Sequence, residues 1–320
     1  MKEYTKPFVI ALIGAGQLGS RYLQGLAYCQ IPLDIFVVDP SEASLATAKA
    51  RWGEVVSIPH SHNARYSTTL NDLPASLDLC LVTTTADVRL QVVKRVQSHC
   101  NVRYWVLEKV LAQSKAQLAG FEDSLNDAEG VWVNTPMRAM DWYGRIRDYL
   151  KPPLEAFYGP GNWGLACNAI HYLDLFAWWT NESVLSCDIS GLQEWIPSKR
   201  KGFWEVTGTL QAIYSGGSRF SLSVSEGSMT LLTVKTSLDE ICNLDEKNGS
   251  FTGPNNVLLP GRFELQSEMS GPLVGDILLG GKCQLPSLVE SLQIHRILIN
   301  GLLQHWNESQ QRDDSILPIT

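Results

Sequence analysis

Three groups of residues in this chain have types and spacings that could do chemistry: the run Gly14-Ala15-Gly16-Gln17-Leu18-Gly19, the pair Glu108-Lys109, and His171 with Asp174 three residues on. The first has the spacing G-x-G-x-x-G, which suits phosphate binding only where a strand precedes it and a helix follows. In that setting Gly14 makes the tight turn, Gly16 leaves room for a pyrophosphate, and Gly19 lets helix and strand pack closely. Unpaired N–H groups and the positive end of the helix dipole then favour an anion at the turn. Asp39 lies twenty residues after Gly19, where a carboxylate accepts hydrogen bonds from the ribose of a dinucleotide. Its charge repels a ribose 2′-phosphate, and Pro40, Ser41, Glu42 and Ala43 offer no cation to attract one. NAD is therefore favoured over NADP, with Arg51 and Arg65 the cations whose folding back would weaken that preference.

The surrounding pattern supplies the strand and the helix. Phe8 to Ile13 is continuously apolar, as a strand buried on both faces of a parallel sheet reads. A helical pattern runs through Tyr22, Leu23, Leu26 and Ala27, and a second strand, Ile35 to Val38, ends on Asp39. The alternation continues with a helix over Glu42 to Arg51, a strand Leu77 to Thr83, a helix Asp87 to Gln97 and a strand Tyr104 to Leu107. A helix Ser114 to Asn126 and a strand Val131 to Asn134 complete it. Repeated βαβ units predict a doubly wound parallel sheet, with ligand beyond the C-terminal strand ends. Thr83-Thr84-Thr85 and Glu108-Lys109 both fall on that edge. The threonines read equally as cofactor contacts and as a capped polar turn, and Glu108-Lys109 as a functional pair or a solvated strand end.

Beyond about Arg138 the character changes. Gly164 to Trp179 is an apolar helix with His171 and Asp174 on one face. Val206 to Tyr214 and Arg219 to Ser225 form a hairpin about Ser215-Gly216-Gly217, and Met229 to Thr236 and the Asn248-Gly249 turn imply further antiparallel strands. A closing helix is predicted over Leu285 to Trp306. The division expected is a dinucleotide-binding domain over 1–138 and a substrate-binding and oligomerisation domain over 139–320. His171 reads either as a structural histidine whose ring Asp174 holds, or as a proton acceptor placed by the Gly161-Asn162-Trp163-Gly164 loop. Of ten tryptophans, six lie between Trp142 and Trp204, where indole faces stack on sugars or simply fill a core.

The composition narrows the classes. Across 320 residues, 33 acidic and 26 basic side chains give a formal charge of −7, without the clustered basic footprint that nucleic acid needs. Mean hydropathy is −0.06 and no apolar run is long enough to cross a bilayer, so neither membrane insertion nor secretion is expected. Seven cysteines without C-x-x-C spacing fit reduced thiols in a cytoplasmic protein. His60-Ser61-His62 reads as a solvated loop, and no metal site is expected.

Together these elements resemble the glucose-fructose oxidoreductase/inositol dehydrogenase/rhizopine-catabolism family over most of the chain. The matching features are G-A-G-Q-L-G, Asp39, Glu108-Lys109-Val110 where the family has E-K-P, and His171-x-x-Asp174. The resemblance implies a Rossmann domain followed by an α/β domain with an open, largely antiparallel sheet, and a homo-oligomer, dimer or tetramer. It implies hydride transfer between a nicotinamide and a hydroxyl or carbonyl carbon of a sugar, polyol or sugar derivative. Lys109 then corresponds to the lysine that bonds the reacting hydroxyl and the nicotinamide ribose, His171 to the general acid/base, and Asp174 to a supporting acid. Gly14, Gly16, Gln17, Leu18, Gly19, Asp39, Thr83, Thr84, Thr85, Glu108 and Lys109 become the cofactor contacts, and Lys109, Trp163, Cys167, Asn168 and His171 the substrate contacts. Cys167 departs from the aspartate often found four residues before the histidine. Two other readings keep the fold: a dinucleotide-binding sensor or regulator without turnover, and an enzyme using transient oxidation by retained NAD for elimination or hydrolysis.

Overall fold

The computed structural model describes residues 6–55, 62–225 and 230–320. His60 and Ser61 of the paired-histidine run, and Met229 at the start of one expected strand, lie outside these residues. The chain divides into two compact units that interleave in sequence rather than meeting at one boundary near 138. One comprises 1–108, 120–134 and 264–288, and the other 109–119, 135–263 and 289–320. The chain leaves the first unit between Glu108 and Lys109.

The first unit holds a six-stranded parallel sheet. Its strands are β1 (Phe8–Ile13), β2 (Leu33–Val38), β3 (Asn63–Ser67), β4 (Ser76–Val82), β5 (Asn101–Glu108) and β6 (Gly130–Asn134), ordered β3-β2-β1-β4-β5-β6. Between them run α1 (Gln17–Leu26), α2 (Glu42–Gly53), α3 (Ala86–Gln97) and α4 (Lys115–Leu125). This is the Rossmann order, whose direction reverses beside β1 and so opens a crevice at the C-terminal strand ends. The apolar stretches Ile10–Ile13 of β1 and Leu79–Val82 of β4 are buried, as a two-sided sheet requires.

The second unit includes α5 (Asp141–Arg147), β7 (Glu155–Gly159) and α6 (Leu165–Thr180), followed by β8 (Val184–Asp188), β9 (Leu192–Pro197), β10 (Trp204–Tyr214) and β11 (Arg219–Val224). β12 (Leu231–Lys235), β13 (Ile241–Asp245), β14 (Ser250–Thr252) and β15 (Leu258–Pro260) complete a nine-stranded mixed sheet. Among the described residues only β7 with β11 is parallel in it. The predicted hairpin is β10–β11, closed by Tyr214 and Ser218 with Gly217 at φ +96°. Along β10 the burial alternates: Val206, Leu210, Ala212 and Tyr214 face the core while Thr207, Thr209, Gln211 and Ile213 are half-buried.

Two helices close the chain, α7 (Gln266–Gly280) and α8 (Leu288–Gln310). α7 belongs to the first unit, and sequence reading passed over it because Pro272 sits in its interior, where proline removes a backbone bond. It packs on α1 at two glycines. A Cβ on Gly271 would stand 2.7 Å from the Gly25 carbonyl oxygen, and one on Gly25 would stand 2.8 Å from that of Ser267. The closing helix starts at Leu288 instead of Leu285 and runs past Trp306.

Candidate functional site

The glycine turn in the first unit is built as its spacing requires. Gly14 has φ +99°, and a Cβ on Gly19 would lie 1.9 Å from the Gly14 carbonyl oxygen, so any side chain at 19 would push the helix off the turn. Around Gly16, by contrast, an added Cβ would meet nothing within 4 Å. The helix starts at Gln17 on an N-cap glycine without a side-chain cap, and Gly16, Gln17 and Leu18 are exposed. Open space thus borders uncapped N–H groups, which is the cradle that a pyrophosphate needs.

Asp39 closes this site from the end of β2. Its Oδ2 accepts the Ala15 N–H at 2.7 Å and its Oδ1 the Ser41 N–H at 2.8 Å, so the carboxylate is fixed on the glycine turn. Each oxygen keeps a lone pair for a ribose hydroxyl. Arg51 does fold back, but onto α1: its guanidinium donates to the Gln17 carbonyl, Gln17 Oε1 and Ser20 Oγ. Arg65 pairs with Asp34 and lies over the Phe36 ring.

The three threonines divide by role. Thr83 Oγ1 donates to the Gly14 carbonyl at 2.5 Å and locks the turn, while Thr85 is the N-cap residue of α3. Thr84 Oγ1 is buried with no hydrogen-bond partner among the described residues, the condition of a hydroxyl awaiting a ligand. Glu108 is buried, and its Oε1 accepts from Tyr22 Oη and from Asn134 Nδ2, both at 2.6 Å. Burial first, and the Glu108 charge second, hold the Tyr22 phenol well above its ordinary range, so it stays a donor. Glu108 is therefore an anchor of the strand ends, and Asn134 Oδ1 beside it has no partner among the described residues. An uncapped helix start, an open Gly16 and an orphaned Thr84 hydroxyl together fit a dinucleotide.

The second unit gathers the candidate acid/base residues. Lys109 Nζ donates to Asn168 Oδ1 at 2.9 Å and to the Cys167 carbonyl at 3.1 Å. Asn168 is oriented by its own donors, which bond the Trp163 and Gly164 carbonyls at 2.8 and 3.1 Å. The peptide between Lys109 and Val110 is cis. Two residues on, the Leu111 N–H donates to Nε2 of buried His295, whose Nδ1 lies 2.9 Å from the Ser291 carbonyl. That pattern requires a neutral His295 ring with its proton on Nδ1.

His171 is half-buried, and its Nδ1 has no partner among the described residues. Burial foremost, and then the Lys109 charge, lower its pKa well below the ordinary 6.5. It is a neutral base at physiological pH. Asp174 does not hold its ring: Oδ2 accepts from Thr135 Oγ1 at 2.8 Å and Oδ1 lies 3.7 Å from Arg138. Burial raises this carboxyl to about 7, outweighing Arg138 and Thr135. The i, i+3 spacing brought the two residues to one helix face, but the acceptor geometry went elsewhere.

Trp163 Nε1 donates to the Ser223 carbonyl, and its ring packs edge-on to Tyr158 and Tyr172. Cys167 is buried, with burial foremost pushing its thiol up to about 12. Sequence reading missed Tyr22, Asn134, Thr135, Arg138, Glu205 and His295. Only Asn134 carried a signal, as a polar residue ending an apolar strand at the ligand edge.

Strand order, glycine turn and terminal acid define the first unit as a Rossmann dinucleotide-binding fold. No protein-family model matches the chain, and no curated protein matches its sequence. Solved structures do share its fold. Scyllo-inositol dehydrogenase from Lactobacillus casei, with bound NAD(H) and scyllo-inositol, superposes with a TM-score of 0.65 at 12% identity over 95% of this chain and 98% of its own. UDP-N-acetylglucosamine 3-dehydrogenase from Acidithiobacillus ferrooxidans gives 0.67 at 14% identity, over 93% and 97%. A transcriptional regulator from Kluyveromyces lactis gives 0.68 at 13% identity, over 98% and 95%. The chain is thus similar in fold to dehydrogenases and to a regulator along nearly its whole length.

Proposed function

We propose that the chain is an NAD-dependent oxidoreductase acting on a CH–OH or carbonyl carbon of a sugar, polyol or sugar derivative. The observation that carries this reading is Lys109, an ammonium aimed by Asn168 and the Cys167 carbonyl in the same unit as the neutral, half-buried base His171. Gly14, Gly16, Gln17, Leu18 and Gly19 would hold the pyrophosphate, Asp39 the adenosine ribose, and Thr84 and Asn134 have free acceptor or donor capacity for the remainder. NAD, when bound, supplies the hydride acceptor. Lys109 donates a hydrogen bond to the substrate oxygen and stabilises negative charge developing there. His171 takes the hydroxyl proton in the oxidative direction and returns it in the reductive one. Asp39, with Arg51 committed to α1, favours NAD over NADP.

The same proposal includes a cytoplasmic homo-oligomer, a dimer or tetramer. Its support is the open side of the nine-stranded sheet, where Phe157 and Ile241 are 40% and 51% exposed beside half-buried Thr209, Gln211 and Ile213. No helix among the described residues is long and apolar enough to cross a membrane. The fold likeness to a transcriptional regulator, together with Cys167, favours one second reading, a dinucleotide-binding regulator.

Fluorescence titration of the purified protein with NADH and NADPH, followed by a 340 nm screen against polyols, aldoses, amino sugars and nucleotide sugars, separates these readings. Preferential NADH binding with turnover on one class is expected. Binding without turnover favours the regulator or a retained-cofactor enzyme, and failure to bind either nucleotide overturns the dinucleotide site.

A further inference from the structure

The start of α6 lacks its own cap. Its N-cap residue, Gly164 at φ +75°, has no side chain to accept from the first turn, and Leu165, Ala166 and Cys167 are buried there. Orphan N–H groups at a buried helix end need an acceptor from elsewhere. It comes from β10: Glu205 Oε2 accepts the Cys167 N–H at 3.3 Å. A Cβ at 164 would stand 2.9 Å from Glu205 Oε1, so the glycine makes room for the incoming acid. Lys109 grips the same turn through the Cys167 carbonyl and Asn168; burial foremost raises the Glu205 carboxyl, and the Lys109 charge is among the influences that oppose it. One carboxylate and one ammonium thus hold a single helical turn, three residues before His171.

We propose that Glu205 is a positioning residue for the Lys109–His171 centre: from β10 it brings a carboxylate to the first turn of α6, capping that helix and fixing the charge and aim of Lys109. What the centre does rests on the oxidoreductase reading, whereas the Glu205–Lys109 coupling is measurable without it. Glu205→Gln keeps a cap acceptor and removes the charge, and Glu205→Asp keeps the charge on a shorter stem.

The test uses the full chain labelled with lysine carrying 13C at Cε, the Lys109 resonance being assigned with Lys109→Arg. In Glu205→Gln the Lys109 titration midpoint falls by about half a pH unit or more, because an opposite charge has been removed. Glu205→Asp gives a midpoint between the two. Once a substrate is found, Glu205→Gln also lowers kcat about tenfold and moves the alkaline limb of the pH profile down, with NADH affinity unchanged. A Lys109 midpoint that stays within about 0.2 unit in Glu205→Gln overturns the proposal. If Glu205→Gln does not fold, a Glu205→Asp midpoint equal to the parent's overturns it instead. A parent protein that binds no NADH overturns the oxidoreductase reading, and the Lys109 titration still decides the role of Glu205.

Discussion

Lys109 Nζ donates to Asn168 Oδ1 at 2.9 Å, so the residue that aims the ammonium sits one turn before His171 on the same helix. A single helix therefore carries both the proposed proton acceptor and the residue that aims Lys109. Replacing Lys109 or His171 by alanine is expected to cut turnover at least about a hundredfold, the lower range for acid/base groups, with NADH affinity nearly unchanged. Asn168→Ala misdirects Lys109 without removing it and costs less, about tenfold. Steady-state kinetics with parallel NADH titrations check this, and near-parent turnover in both Lys109→Ala and His171→Ala would remove them from the mechanism.

Gly16 separates folding from cofactor binding. An added methyl meets nothing within 4 Å, and the backbone there, at φ −62° and ψ −163°, is extended and open to any residue. Gly16→Ala should melt within about 2 °C of the parent, as expected of substitutions that meet no neighbour, yet bind NADH at least about tenfold more weakly. Gly19→Ala, whose Cβ would collide with the Gly14 carbonyl, should lose both stability and binding. Unchanged NADH affinity in Gly16→Ala would mean that the pyrophosphate does not pass over this glycine.

Asp174 makes stability depend on pH in a defined direction. Its carboxyl is raised from 3.8 to about 7, so the folded chain holds this proton more tightly than the unfolded one. The stabilisation is complete below about pH 4, declines as pH rises, and is lost once pH passes about 7. Thermal melts of the parent should therefore fall, relative to Asp174→Asn, between about pH 4 and pH 7. Two parallel curves would show that Asp174 does not titrate in that window.

Glu246 is the common acceptor of three tyrosines, Tyr143, Tyr158 at 3.0 Å and Tyr172 at 2.9 Å, all three buried. Tyr172 neighbours His171 on α6, so the contact ties the β13–β14 turn to that helix. Glu246→Ala strands three hydroxyls and should cost about 2–4 kcal/mol, with Glu246→Gln costing less because it keeps one acceptor. Denaturant melts of both variants test this, and equal losses would place the cost in packing.

Much of the first unit was legible because its signals are local. Two-sided burial makes β1 and the Leu79–Val82 end of β4 apolar runs, and the turn between β1 and α1 admits only glycine at Gly14 and Gly19. β3, by contrast, is a polar edge strand of alternating Asn63 to Ser67, and α7 hides behind Pro272, where packing against α1 outweighs the broken backbone bond. The α6 helix was legible from its periodicity, but periodicity says only which residues share a face.

The sequence by itself pointed to the glycine turn and to Lys109 and His171 as candidates, because those depend on residue type and short spacing. The tertiary structure decided their partners. Asp174 turns to Thr135, Glu108 to Tyr22 and Asn134, and α6 receives its cap from Glu205, thirty-eight residues beyond Cys167. A buried carboxylate takes whichever donors the folded chain brings within hydrogen-bond distance, and those come from elements that no local pattern connects.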